Sequence, residues 1–181
     1  PALDHLTFIR LFDENAIASP SKVIYSYLED GINESSSITY GEMRRHSKAV
    51  AAALQETCRK GDIVLMLFPP GLEFVISLFG CFFSGNIAFP AYPPRKNRLF
   101  TRFESIVNDC NPRVILTTRK IKDDLVKNFS GELCISGIQI IVFEDIDIFL
   151  ETKWQDPGTR PDDIALLQYT SGSTGTPNGV V

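Results

Sequence analysis

Residues 169–181, YTSGSTGTPNGVV, gather the side chains best suited to chemistry in this chain. The hydroxyls of Thr170, Ser171, Ser173, Thr174 and Thr176 are interleaved with Gly172 and Gly175, and Gly179 follows Asn178. Glycine admits positive φ and lets a backbone approach a ligand closely. Successive N–H groups in such a turn form an anion-binding concavity, to which hydroxyls add donors. A polyphosphate needs that combination. By composition alone, a Gly/Ser/Thr linker fits the stretch equally well. The apolar run 164–167 that precedes it reads as a buried strand feeding a tight turn after Tyr169.

Such a loop needs a scaffold, and the rest of the chain supplies one. At 181 residues with 44% hydrophobic residues, one domain with a real core is expected, and a disordered chain is excluded. A net charge of −4 argues against nucleic acid as the main partner. Cys58, Cys81, Cys110 and Cys134 are scattered without a C-x-x-C pair, so neither zinc nor a dithiol motif is indicated. Each reads as a small buried hydrophobe, as in a reducing cytoplasm. The chain starts at Pro1 with no charged-then-apolar signal segment, which suggests a cut chain or a processed product. Residues 74–94 carry no charge over about the length a membrane helix needs. Gly85, Asn86 and Pro90 interrupt them, so a buried helix followed by a buried strand is expected, with no membrane span.

In chain order, residues 6–15 read as a short amphipathic helix with Leu6, Ile9, Leu11 and Phe12 on its apolar side. Residues 22–28 alternate as a strand does, and 31–37 read as a turn-rich connection. Thr39 and Glu42 form a capping box, with Ile38 and Met43 placed as a hydrophobic staple, for a helix that stops before Gly61. Residues 63–68 are an unbroken apolar run, as in a strand buried on both faces of a parallel sheet. A helix over 72–83, a strand at 87–89, a stiff proline loop at 91–95 and a helix over 99–110 follow. Then come a strand at 114–116, a polar helix over 120–129, a strand at 138–143 and an irregular stretch at 145–163. A last strand at 164–169 delivers the loop. Alternating strands and helices with continuous apolar strands argue for an α/β fold, a mostly parallel sheet flanked by helices. In open sheets of this kind ligands sit beyond the carboxyl ends of the strands, where the loop after Tyr169 is expected.

The order of residues in the loop resembles the phosphate-binding loop of the adenylate-forming (AMP-binding) enzymes, written Y-T-S-G-(S/T)-T-G-x-P-K-G. It is not the P-loop of the nucleoside triphosphatases, since no G-x-x-x-x-G-K followed by Ser or Thr can be read through it. The resemblance is firm from Thr170 to Thr176 and departs at Asn178, where the family has a lysine. Further stretches are similar to the opening of fatty acyl-AMP ligases and long-chain acyl-CoA ligases: residues 39–42 (TYGE), 69–74 (PPGLEF), 89–95 (FPAYPPR) and 163–169 (DIALLQY). The YPPR element leans toward the acyl-AMP ligases that feed polyketide and lipopeptide assembly lines.

The resemblance implies that residues 1–181 are the N-terminal portion of a large adenylation domain, its N-terminal subdomain. It implies ATP and Mg²⁺ as cofactors, a fatty acid as substrate, and an acyl carrier protein or coenzyme A as acceptor. A carboxylate attacks the α-phosphorus of ATP, pyrophosphate leaves, and an acyl-adenylate forms. Thr170, Ser171, Gly172, Ser173, Thr174, Gly175, Thr176 and Asn178 are the implied nucleotide-binding residues. The family's magnesium ligand and catalytic lysine come later than residue 181, so the isolated chain is expected to be inactive. Asn178 leaves open a degenerate module that binds nucleotide or a partner without chemistry. For other residues the plain reading prevails. Phe82 and Phe83 read as core, His5 and His46 as surface or capping residues, and Arg95, Lys96 and Arg98 as a solvated basic loop.

Overall fold

The computed structural model describes residues 7–94, 99–129, 135, 137–171 and 177–180, with the side chains of 99–102, 170–171 and 177–180 outside the description. Its centre is a sheet of four parallel strands in the order β4-β3-β5-β6: β3 (Ile63–Leu67), β4 (Ile87–Ala91), β5 (Val114–Thr117) and β6 (Gln139–Val142). β3 and β5 are buried throughout, apart from half-buried Ile63, which explains why both read as continuous apolar runs.

Helices cover both faces. On one lie α1 (Phe8–Ala18), α2 (Tyr40–Gln55) and α3 (Leu72–Ser84), whose side chains join Val64, Met66, Ala88, Val114 and Leu116 in one core cluster. On the other, α4 (Leu99–Cys110) and α5 (Arg119–Phe129) pack Phe103, Val107, Leu125 and Phe129 against Leu65, Leu67, Phe89 and Ile115. The alternation along each strand sends odd and even residues to opposite cores. The result is the α/β architecture expected.

Local chemistry sets the element ends. Thr39 Oγ1 accepts from the Glu42 N–H at 3.3 Å while Glu42 Oε2 accepts from the Thr39 N–H at 2.9 Å, the full capping box of α2. Both staple residues, Ile38 and Met43, are buried in the first cluster. α3 ends at Gly85, whose φ of 72° is left-handed and whose N–H returns to Cys81 and Phe82 carbonyls. β4 continues through Pro90, which the sequence reading took as a break. Ala88 turns its N–H and carbonyl to the outer side, and Pro90, two residues on, turns its missing donor the same way, where the outer pairing has ended.

Several expectations are corrected. Residues 34–37, read within the turn-rich connection 31–37, belong to β2 (Glu34–Thr39), antiparallel to β1 (Val23–Leu28). The serines hid it, because this hairpin buries almost nothing on β2 before Ile38. The buried face of α1 is Ile9, Phe12 and Ala16, while Leu11 is 49% exposed. Phe143 leaves the sheet and starts a 3-10 turn, and a second 3-10 turn, Ile148–Lys153, lies within the irregular stretch. Residues 164–167 do not form a buried strand. They touch the sheet by a single parallel bridge, Leu166 to Ala88, and Ile164 and Leu166 are 45% and 39% exposed.

Among the described residues no helix is long and apolar enough to cross a membrane.

Candidate functional site

The hydroxyl-rich stretch hangs on a strap that crosses the molecule. After β6, at one edge of the sheet, residues 143–163 run over α2 and return beside β4 at the opposite edge. Side chains from the first half of the chain pin this strap. Gln55 and Gln155 exchange two hydrogen bonds, at 2.7 and 3.2 Å. The Trp154 indole N–H donates to the Phe83 carbonyl at 2.8 Å, and its ring meets Phe83 edge-on at 5.6 Å. The Lys60 ammonium donates to the Gly158 carbonyl at 2.9 Å and pairs with Asp163 at 2.6 Å. That hydrogen bond, then the Arg160 N–H, holds the Asp163 carboxyl below its usual range. Pro157 crosses so close to Gly85 that a Cβ there would lie 3.0 Å from the Pro157 Cβ.

Lys48 on α2 sits under the strap with its side chain only 6% exposed. Its ammonium lies 3.8 Å from the centre of the Trp154 ring and 5.1 Å from that of Phe83, and 3.1 Å from Asp13 Oδ1. Burial pulls its pKa below the ordinary lysine value, against the opposing pull of the Asp13 hydrogen bond and charge. Arg44 shares the same carboxylate at 2.7 Å, so Asp13 ties α1 to two cations of α2. A lysine beneath an aromatic ring gains cation–π attraction where water is excluded.

Past the strap, the Ala88 N–H donates to Ala165 and the Leu167 N–H to Ala88, each at 2.9 Å, setting residues 165–167 parallel to β4. The chain then leaves the sheet beyond its carboxyl edge as a hairpin, β7 (Gln168–Ser171) antiparallel to β8 (Pro177–Val180). Tyr169 pairs with Gly179, Thr170 with Asn178, and Ser171 with Pro177. Of the sequence-derived site residues, the hairpin brings Thr170, Ser171 and Asn178 together. Gly172, Ser173, Thr174, Gly175 and Thr176 lie outside the described residues, between the two strands. The basic trio Arg95, Lys96 and Arg98, like His5 and Cys134, also lies outside them.

Two contacts orient the base of the hairpin. The Tyr169 ring lies against Phe89 of β4, centroids 5.2 Å apart and planes 51° apart. Its hydroxyl donates to Asp109 Oδ2 near the end of α4. Partial burial, then the hydrogen bond to the carboxylate and its charge, raise the tyrosine pKa and keep the phenol protonated. Asp109 and the Trp154–Lys48–Asp13 group were not singled out from sequence. Their partners lie between 31 positions away (Asp13 and Arg44) and 154 − 48 = 106 positions away (Lys48 and Trp154), and no local pattern links them. Tyr169, Phe89, Phe103, Val107 and Leu125 also line a mostly apolar groove of about 840 Å³ beside the hairpin.

The crevice between β3 and β5, whose connections leave to opposite faces, is the usual ligand position in an open sheet. Here it is filled: Phe68 packs edge-on against both Phe74 and Phe143, and Thr117 Oγ1 donates to the Leu67 carbonyl at 2.6 Å. The hairpin leaves the sheet at the β4 edge, clear of this crevice. Among the described residues no group of three His, Cys, Asp or Glu could hold a metal ion.

The family model described as "AMP-binding enzyme" matches residues 12–181. The chain is 38% identical over 180 residues to the medium-chain-fatty-acid acyl-carrier-protein ligase JamA of Moorena producens, covering 97% of this chain and 30% of that protein. It is 30% identical to the long-chain-fatty-acid–AMP ligase FadD32 of Mycobacterium marinum, covering 98% of this chain and 29% of the relative. Among solved structures it is similar to a fatty acyl-adenylate ligase from L. pneumophila in complex with acyl adenylate and pyrophosphate. There the TM-score is 0.83 with 34% identity, over 96% of this chain and 29% of that one. The chain thus spans about 30% of the length of these relatives.

Proposed function

The chain belongs to the AMP-binding enzyme family, and from that premise we propose that the protein carrying it activates a fatty acid with ATP, forming an acyl-adenylate and pyrophosphate. The observation that carries this reading is the hairpin: the strands that flank the hydroxyl- and glycine-rich motif, 168–171 and 177–180, pair with each other just after the segment parallel to β4. Similarity to ligases named for fatty acids supports the choice of acid.

In this reading residues 170–176, with Asn178, hold the β- and γ-phosphates, the part of ATP that leaves. A carboxylate is already nucleophilic at neutral pH, so no general base is needed. Catalysis then rests on positioning and on donors aimed at the charge that grows on the leaving group. The hairpin residues supply such donors and no acid or base. When bound, Mg²⁺ neutralises charge on the transferred phosphates. The isolated chain, which spans about 30% of the length of these ligases, is expected to form no acyl-adenylate. The acceptor in this reading is an acyl carrier protein, as the name of the Moorena producens relative indicates for that protein. The cytoplasm, where ATP and reduced cysteines coexist, is the proposed compartment.

ATP–pyrophosphate exchange by the full-length protein with a medium-chain fatty acid tests the reading, with product analysis with and without coenzyme A. Exchange whose product stops at acyl-adenylate supports it. Acyl-CoA moves the protein to the CoA ligases, and no exchange with any fatty acid refutes adenylation.

A further inference from the structure

We propose that Asp109 is a positioning residue for the phosphate-binding hairpin, acting through the hydroxyl of Tyr169. The proposal rests on the hairpin's role given above and names a residue that neither the loop motif nor the family match singles out. Among the described residues, β7 hydrogen-bonds as a strand only to β8, and the bridge that ties this segment to the sheet lies upstream, at Leu166. The hairpin therefore projects like a bracket fixed at one end. Its orientation about that end is set by the first side chain of the motif, Tyr169.

Tyr169 has two fixed points on two different elements. Its ring rests on Phe89, which is buried in the central sheet. Its hydroxyl reaches Asp109, which the helix holds between Val107 and Cys110, both buried. The tilted ring contact alone leaves the tyrosine free to pivot on Phe89. The hydroxyl contact removes that freedom, because the phenol must donate and the carboxylate can only accept. Thr170 and Ser171, the next two residues, inherit that orientation. α4 thus aims the stretch that meets the leaving phosphates, although Asp109 touches neither nucleotide nor fatty acid in this reading.

The test uses the full-length enzyme and ATP–pyrophosphate exchange, with Asp109→Ala, Tyr169→Phe, the double variant and Asp109→Asn, which keeps an acceptor oxygen. A hydrogen bond to a charged acceptor, partly exposed, is expected to move KM for ATP and for pyrophosphate by roughly five- to tenfold. Asp109→Ala and Tyr169→Phe should show this rise, and the double variant the same rise rather than its square. KM for the fatty acid should stay put, and Asp109→Asn should recover most of the loss. A purely structural role would instead lower the unfolding temperature and the amount of active enzyme, with all KM values unchanged. That result, or factors that multiply in the double variant, overturns the proposal. If the wild-type enzyme shows no exchange at all, the reading beneath it fails; exchange by the wild type with unmoved variants refutes the role of Asp109 alone.

Discussion

Gly80 lies where α3 crosses α2, and adding one carbon there gives a sharp test of the helical layer. A Cβ at this position would stand 2.4 Å from Val50 Cγ1, 2.7 Å from Val50 Cβ and 3.3 Å from the Ser47 carbonyl oxygen. Carbon atoms rest at about 3.5–4.0 Å, so both contacts to Val50 overlap by roughly 1 Å. Rotating Val50 can swing Cγ1 aside, but its Cβ is fixed to the helix. Val50 is buried, so the two helices must part. Such overpacking costs about 1–3 kcal/mol, while replacing glycine by alanine inside a helix returns about 1 kcal/mol. With overlaps near 1 Å the upper half of that range applies, so Gly80→Ala is expected to destabilise the protein by about 1–2 kcal/mol. The assay is urea unfolding followed by the fluorescence of Trp154, the chain's single tryptophan, which packs on the end of α3. The denaturant midpoint should fall with the slope unchanged. Val50→Ala relieves the nearer contact and leaves the Cβ contact, so the double variant should be more stable than the sum of single effects by at least ~0.5 kcal/mol. A neutral or stabilised Gly80→Ala, or strict additivity, would refute the close crossing.

Four further outcomes are expected. Asp13→Ala, which strands a buried lysine, should cost about 2–3 kcal/mol of unfolding free energy, whereas Lys48→Met, which keeps the volume under Trp154, should cost less than half of that. Asp30 in the β1–β2 turn accepts from the Asn33 and Ile32 N–H groups, which hold its carboxyl at about 2, below the ordinary 3.8. Because the folded value is the lower one, its stabilisation is present above pH 3.8 and lost as pH falls through about 2; NMR titration of the Asp30 carboxyl checks it. Burial, then Asp62, pushes the Cys58 thiol up to about 11, and burial, then Asp109, pushes Cys110 up to about 12. Neither should react with a thiol reagent at pH 8 in the folded protein, as mass spectrometry after timed labelling would show. In the full-length protein, Asn178→Lys should lower KM for ATP if position 178 faces phosphate, and exchange kinetics with and without the lysine decide it.

How much was legible depends on how locally each feature is encoded. Thr39 and Glu42 announce α2 because a capping box lies within four residues. β3 and β5 announce themselves because strands buried on both faces are almost wholly apolar, Thr117 being tolerated through its hydroxyl bond to the Leu67 carbonyl. β2 escaped notice because nothing buries its serines, and a strand defined only by backbone pairing leaves no mark on composition. The run 164–167 misled for the opposite reason: apolar residues predict burial, and nothing in them specifies the outermost position in a sheet. The loop itself was readable as a motif, and the structure adds that its flanks pair as a hairpin. Asp109, Trp154 and Lys48 gain their roles only from partners across the fold, and so could not be found in one dimension.

The strap also fixes an order of events. Gln155 finds Gln55 across 100 positions, Gly158 finds Lys60 across 98, and Trp154 finds Phe83 across 71. Contacts so distant in sequence cannot form until the loops between them are closed, and the closing cost comes before any reward. α2 and α3 are therefore expected to form before the strap that grips them. During synthesis the scaffold emerges first and waits for the segment it will hold. In the finished protein the same sequence should run backwards: the strap and hairpin open as one unit at a lower free energy than the sheet, and their amides exchange with solvent while those of β3 and β5 stay protected.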